Sequence, residues 1–147
     1  MRNIRTAFAD FWGGFMNRSL LLPLPVKIPA YQEGYAITRD IHGRPIPPEF
    51  PYITYPITRP SFSEFTITSA SIWDRNSSNP GFFGLIDDVL AQAAERIPEN
   101  GTILDVGRDG VIVIYRSNPF IDYLDNPDDQ AITRGIIRII ISNYILK

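Results

Sequence analysis

The sequence predicts an α+β fold in a single domain over residues 1–147: a mostly antiparallel sheet packed by an N-terminal helix and one central amphipathic helix, with a long proline-rich connector. Three observations predict it. A chain of 147 residues that is 44% hydrophobic and 20% charged has the composition and length to bury one core. From Phe50 onward, runs rich in β-branched and aromatic residues are interrupted by one helical stripe, the order of a small mixed domain. Finally, seven of the 13 prolines lie between Pro23 and Pro51, a density that favours stiff, extended chain.

In chain order, Ile4, Phe8, Phe11, Trp12 and Phe15 share one side of a helix that Gly13-Gly14 weakens and that ends near Asn17. An aromatic stripe of this kind packs on its own domain or on a neighbouring subunit, because its other side lacks the Lys/Arg density of a membrane-surface helix. Residues 18–50 then read as the connector. Leu20-Leu-Leu-Pro-Leu-Pro-Val-Lys-Ile-Pro29 is apolar but punctuated by proline, so it runs extended over a surface and needs cover. Tyr31 to Asp40 suits a short strand, and His42 to Pro48 a turn-rich loop.

The core is expected over 51–147. Tyr52 to Ile57 and Phe62 to Asp74 have strand composition, and neither face of the second is cleanly polar, which suits helices on one side and something else on the other. Asn76-Ser-Ser-Asn-Pro80 carries helix-start chemistry. Phe82, Ile86, Val89, Leu90, Ala93 and Ile97 then form a helical stripe, with Asp87, Asp88, Gln92 and Glu95 opposite and Pro98 as the stop. Thr102 to Val106 and Val111 to Arg116 pair as a hairpin through Gly107-Arg-Asp-Gly110. An acidic loop, Asp122 to Asp129, leads to a last strand, Ile136 to Ile145. Its Ile137, Ile139, Ile141 and Ile145 face the core, while Arg138 and Tyr144 lie on the opposite face, where a neighbour is expected.

The composition narrows the function. Without cysteine there are no disulfides, thiolate metal sites or cysteine nucleophiles. A net charge of −2 and a pI near 5.3 argue against adhesion to a nucleic-acid backbone. No signal peptide and no spanning run of about 18 apolar residues is expected. His42 is the only histidine, so it has no second imidazole to work with, and it sits in a proline-rich turn. Asp122, Asp125, Asp128 and Asp129 are the only cluster with oxygen ligands for a hard cation, but their spacing fails the calcium-loop pattern. Asp87 and Asp88 diverge by about 100° on a helix and do not face a common substrate. The expectation is a protein that is not an enzyme, with no cofactor and no metal.

Taken together, the N-terminal helix, the connector, Pro51-Tyr-Ile-Thr-Tyr-Pro56, Ile72-Trp-Asp-Arg75, the single central helix, Asn126-Pro-Asp-Asp129 and the terminal Arg134-to-Ile145 strand resemble the tail terminator and neck (head-to-tail joining) proteins of long-tailed bacteriophages. The resemblance implies a structural virion protein, assembled in the host cytoplasm, that forms a hexameric ring. The ring would end the tail tube and join it to the head connector, with DNA passing through the lumen without specific binding. Its partners would be further copies of itself, the tail tube protein and the connector or stopper proteins, with no membrane. It would put Asp122, Asp125, Asp128 and Asp129 in a loop at the lumen or tube-facing end. Leu21, Leu22, Leu24, Val26 and Ile28 of the connector, with Arg138 and Tyr144, are the candidate inter-subunit surface. The alternatives are another neck adaptor such as a connector stopper, or a cytoplasmic α+β domain that binds a small ligand or peptide.

Overall fold

Asn3 opens the first helix, α1 (Ile4–Trp12), by accepting a 2.9 Å hydrogen bond from the Thr6 amide, one of the donors that a first turn leaves unsatisfied. This is a computed structural model, and it describes residues 3–18, 24–58, 64–75, 84–107, 110–125 and 132–144. Ala7, Phe8, Phe11 and Trp12 are buried, so the aromatic stripe belongs to the chain's own core. The helix stops at Trp12, earlier than the stripe suggested: the Gly13 amide makes the last helical bond, to the Ala9 carbonyl, and the Gly14 amide tightens to the Phe11 carbonyl instead.

The connector is folded where it is described. Strand β1 (Met16–Asn17) pairs antiparallel with β2 (Val26–Lys27), and β3 (Ala30–Gln32) joins the main sheet parallel to β6 (Tyr52–Tyr55). Between β3 and β6, β4 (Thr38–Arg39) and β5 (Pro45–Ile46) form a separate hairpin. Prolines keep these strands to two or three residues because each removes a ladder donor, but they do not prevent pairing.

The remaining elements are β7 (Phe65–Arg75), α2 (Gly84–Arg96), β8 (Thr102–Asp105), β9 (Val111–Asp125) and β10 (Ile132–Tyr144). The main sheet has the order β3-β6-β7-β10-β9-β8 and is antiparallel except at its β3 edge. About half of the described chain is strand, giving a mixed α/β architecture with a curled, mostly antiparallel sheet. The helix-start residues 76–80 and Phe82 lie outside the described residues, but Ile86, Val89, Leu90, Ala93 and Ile97 are all buried, as their spacing predicts. The hairpin turn is also as expected: Gly107 and Gly110 adopt positive φ, and the Val106 amide donates to the Gly110 carbonyl.

One face of the sheet carries the core. Ile53, Ala70, Ile72, Ile112, Ile114, Ile137, Ile139 and Ile141 point there, and α1 and α2 both cover it. Helix α2 approaches β10 closely at Gly135, where an added Cβ would lie 2.8 Å from Ile72 Cγ2 and 3.0 Å from Ile86 Cγ2. Buried Gln92 lies on the side predicted to be solvated. It accepts from the Met16 amide and donates to the Met16 carbonyl (2.9 and 2.8 Å), so its side-chain amide acts as a strand partner and fastens α2 to β1. Arg96 lies over the rings of Phe11 and Phe15, at 4.6 and 4.7 Å from their centroids, and joins the two helices; burial pushes its pKa down. At the same C-terminal end of α2, Arg116 of β9 donates to the Ile97 and Ala94 carbonyls and satisfies the helix terminus.

Two substitutions test this packing by urea denaturation. Gly135→Val is expected to cost about 1–3 kcal/mol, because Ile72 and Ile86 must give way to its side chain. Gln92→Leu is expected to cost about 1–3 kcal/mol by leaving both backbone groups of Met16 without their partner; an unchanged midpoint in either would show that α2 is not held as described.

Candidate interaction surface

Because antiparallel partners in register point to the same side, the ladder defines a second face row by row. Phe65 lies opposite Ser142, Ser142 opposite Val113, and Val113 opposite Ile103, one row across four strands. The next row on that face is Ile67, Ile140 and Tyr115. Neither helix covers it. Phe65, Ile67 and Ile103 are 65%, 60% and 68% exposed, so this end of the open face is apolar and wet.

The other end of the same face covers itself with aromatics. Tyr52 stacks on Trp73 at 6.3 Å between ring centroids, with Tyr31 and Phe50 against Tyr52. The Arg134 guanidinium lies 4.7 Å above the Trp73 ring and donates to Ser71 Oγ, while Trp73 Nε1 donates to Thr54 Oγ1. Arg75 sits over Phe50. These contacts give each cation and each ring a partner within the chain.

Between the two ends lie the predicted polar residues, and their surroundings correct the expectation. Asp122 and Asp125 are not in a loop: β9 continues to Asp125, opposite Thr133 of β10. Ser117, Asn118, Pro119 and Phe120 bulge out against Arg138 alone, after which pairing resumes at Ile121 and Ile137. Arg138 and Asp122 form a 3.0 Å ion pair with each other, so the residue expected at a neighbour and the residue expected in a lumen loop are partners within one chain. The Arg138 hydrogen bond, with a further one from the Tyr123 amide, holds the Asp122 carboxyl below its ordinary value. On the helix side of β9, Tyr123 donates to Asp87 Oδ1 at 2.7 Å, which pushes the phenol up to about 12.

Of the expected inter-subunit residues, Leu24 and Val26 are exposed. Ile28 is not: it is 1% exposed, with its amide bonded to the Phe15 carbonyl, and it packs in the chain's own core. Its surroundings in space, which one stretch of sequence cannot show, decide this. Leu21, Leu22, Asp128 and Asp129 lie outside the described residues, and the Tyr144 backbone pairs with Val111. Arg18, beyond β1, reaches Asp88 of α2.

A feature that the sequence did not single out is the β4–β5 hairpin. Asp40 Oδ1 accepts from the amides of His42 and Arg44, Arg39 donates to the Gly43 carbonyl, and Gly43 has a φ of 77°, which together make a self-contained turn. Ile41 at its tip is 94% exposed, and Tyr35, Ile37 and Ile46 around it are 64%, 60% and 45% exposed. The only signal in the sequence is an Asp-x-x-Gly turn flanked by isoleucines, Asp40 to Gly43, which a proline-rich context obscures. Among the described residues, no group of three or more His, Cys, Asp or Glu is placed to hold a metal ion, and no helix is long and apolar enough to cross a membrane.

The low Asp122 pKa has a testable sign. Depressed in the fold, it contributes stability above the unfolded carboxyl value, near 3.8, and that contribution is lost as pH falls through the folded value. A carboxyl-detected NMR titration is expected to place Asp122 below that value and to move it back toward it in Arg138→Gln, the Tyr123 amide bond remaining; no change on substitution would mean that the ion pair does not set it.

No protein-family model matches the chain. No curated protein and no solved structure matches it either.

Proposed function

We propose that this protein is a non-enzymatic structural component of a long-tailed bacteriophage, a ring-forming protein at the head-tail junction that ends the tail tube and joins it to the head connector. The observation that carries the reading is the one-sided packing of the sheet. With both helices on one face, the opposite face retains a solvent-exposed apolar end bearing Phe65, Ile67 and Ile103. Exposed apolar surface of this kind marks an interaction site, and a closed ring of identical subunits covers it on every copy.

Two further observations support assembly over small-ligand chemistry. The apolar residues form a broad sheet face and a projecting hairpin, whereas small-molecule sites are concave and enclose their ligands. The titratable groups at the centre of the open face, Asp122 and Arg138, neutralise each other. A wall of balanced charge suits a channel through which a polyanion slides without adhering. Asp122 then serves the lumen as part of a neutral pair on the ring wall.

The test is growth of tail tubes from purified tube protein with and without this chain, followed by electron microscopy and light scattering. The expected result is arrested tube growth and a ring of density at one tube end. Tubes of unchanged length with bare ends, together with a chain that stays monomeric at high micromolar concentration, would overturn the proposal.

A further inference from the structure

We infer that the β4–β5 hairpin of one copy docks on the exposed apolar end of the open sheet face of the next copy; the inference rests on the ring reading and names the contact that builds the ring. The hairpin holds its shape through its own hydrogen bonds and leaves Ile37, Ile41 and Ile46 in solvent, an arrangement unfavourable for an isolated chain. The face offers Phe65, Ile67 and Ile103, three comparably exposed apolar side chains from β7 and β8, gathered by the register into two adjacent rows.

Charge matches as well. Arg39 and Arg44 flank the hairpin tip, and Asp40, the acid between them, is turned inward to accept two backbone amides. At the receiving end, Glu64 adjoins Phe65, and Asp105, whose Oδ1 accepts from the Gly107 amide, lies two residues beyond Ile103; both are exposed. A basic rim around aliphatic residues therefore meets an acidic rim around apolar residues, which orients the encounter and disfavours hairpin-to-hairpin and face-to-face pairing. The two surfaces are different parts of one chain. A contact between them is heterologous and repeats head to tail, the kind of contact from which rings are built when the rotation between copies closes.

The chain has no cysteine, so single cysteines report contacts cleanly. Ile41→Cys and Ile103→Cys chains, mixed with tube ends under mild oxidation, are expected to give a mixed disulfide, and the double variant a ladder of covalent oligomers. Neither single variant alone should crosslink efficiently; an Ile41→Cys homodimer as the main product would overturn the inference. Both side chains are exposed, so Ile41→Asp and Ile103→Asp should keep the wild-type melting temperature while weakening self-association roughly tenfold or more. Mixing the two Asp variants should restore one intact contact and yield a dimer. Rings that persist in both Asp variants would overturn the hairpin contact and leave the ring reading standing, whereas a wild-type chain that never self-associates, even on tubes, would overturn both.

Discussion

Helix α2 lies flat on the sheet because Gly135 presents no side chain there, so Ile86 and Leu90 reach the floor formed by Ile72. That seat decides which side of β10 is inside. With period-two alternation, placing Ile137, Ile139 and Ile141 beneath the helix sends Ile136, Arg138 and Ile140 to the other side, and the ladder carries the choice to every paired strand. Helix α1 follows onto the same side. Gln92 ties its continuation at Met16 to α2, and Arg96 fills the space against Phe11 and Phe15. The open face thus results from where the helices sit, with no separate provision for it.

That face has two characters. Where aromatic rings and arginines are available it saturates its own contacts, as in the sequence Tyr52, Trp73, Arg134. Where it carries Phe65, Ile67 and Ile103 it does not: one aromatic ring and two aliphatic side chains stay in solvent.

Local pattern carried much of the fold. The stripes of α1 and α2, the terminal isoleucine row and the Gly107-to-Gly110 turn were legible because each depends on residues close in sequence. The misreadings concern long-range pairing. Ser117-Asn-Pro119 has the composition of a break, yet β10 holds β9 in register on both sides of it, so Asp122 becomes a strand residue with Arg138 beside it. Gln92 looks like a solvated helix residue until β1 arrives to use its amide, and Ile28 looks like an arm residue until Phe15 lies next to it. The open face was half legible: β10 alternation put Arg138 on the side that the helices leave uncovered, but the exposed hairpin depends on a turn whose signal is short.

The bulge in β9 has a consequence for how copies can meet. Strand β8 pairs only with Val111 to Ile114, so the rest of β9 has a long margin that β8 leaves bare, the kind of margin on which sheets from separate molecules fuse into endless fibres. Pro119 has no amide to offer a stranger, the bulge bends the strand away from straight, and charged Arg116 and Asp122 interrupt it. The irregularity that disguised this strand in the sequence therefore acts as a guard rail against open-ended stacking along this edge.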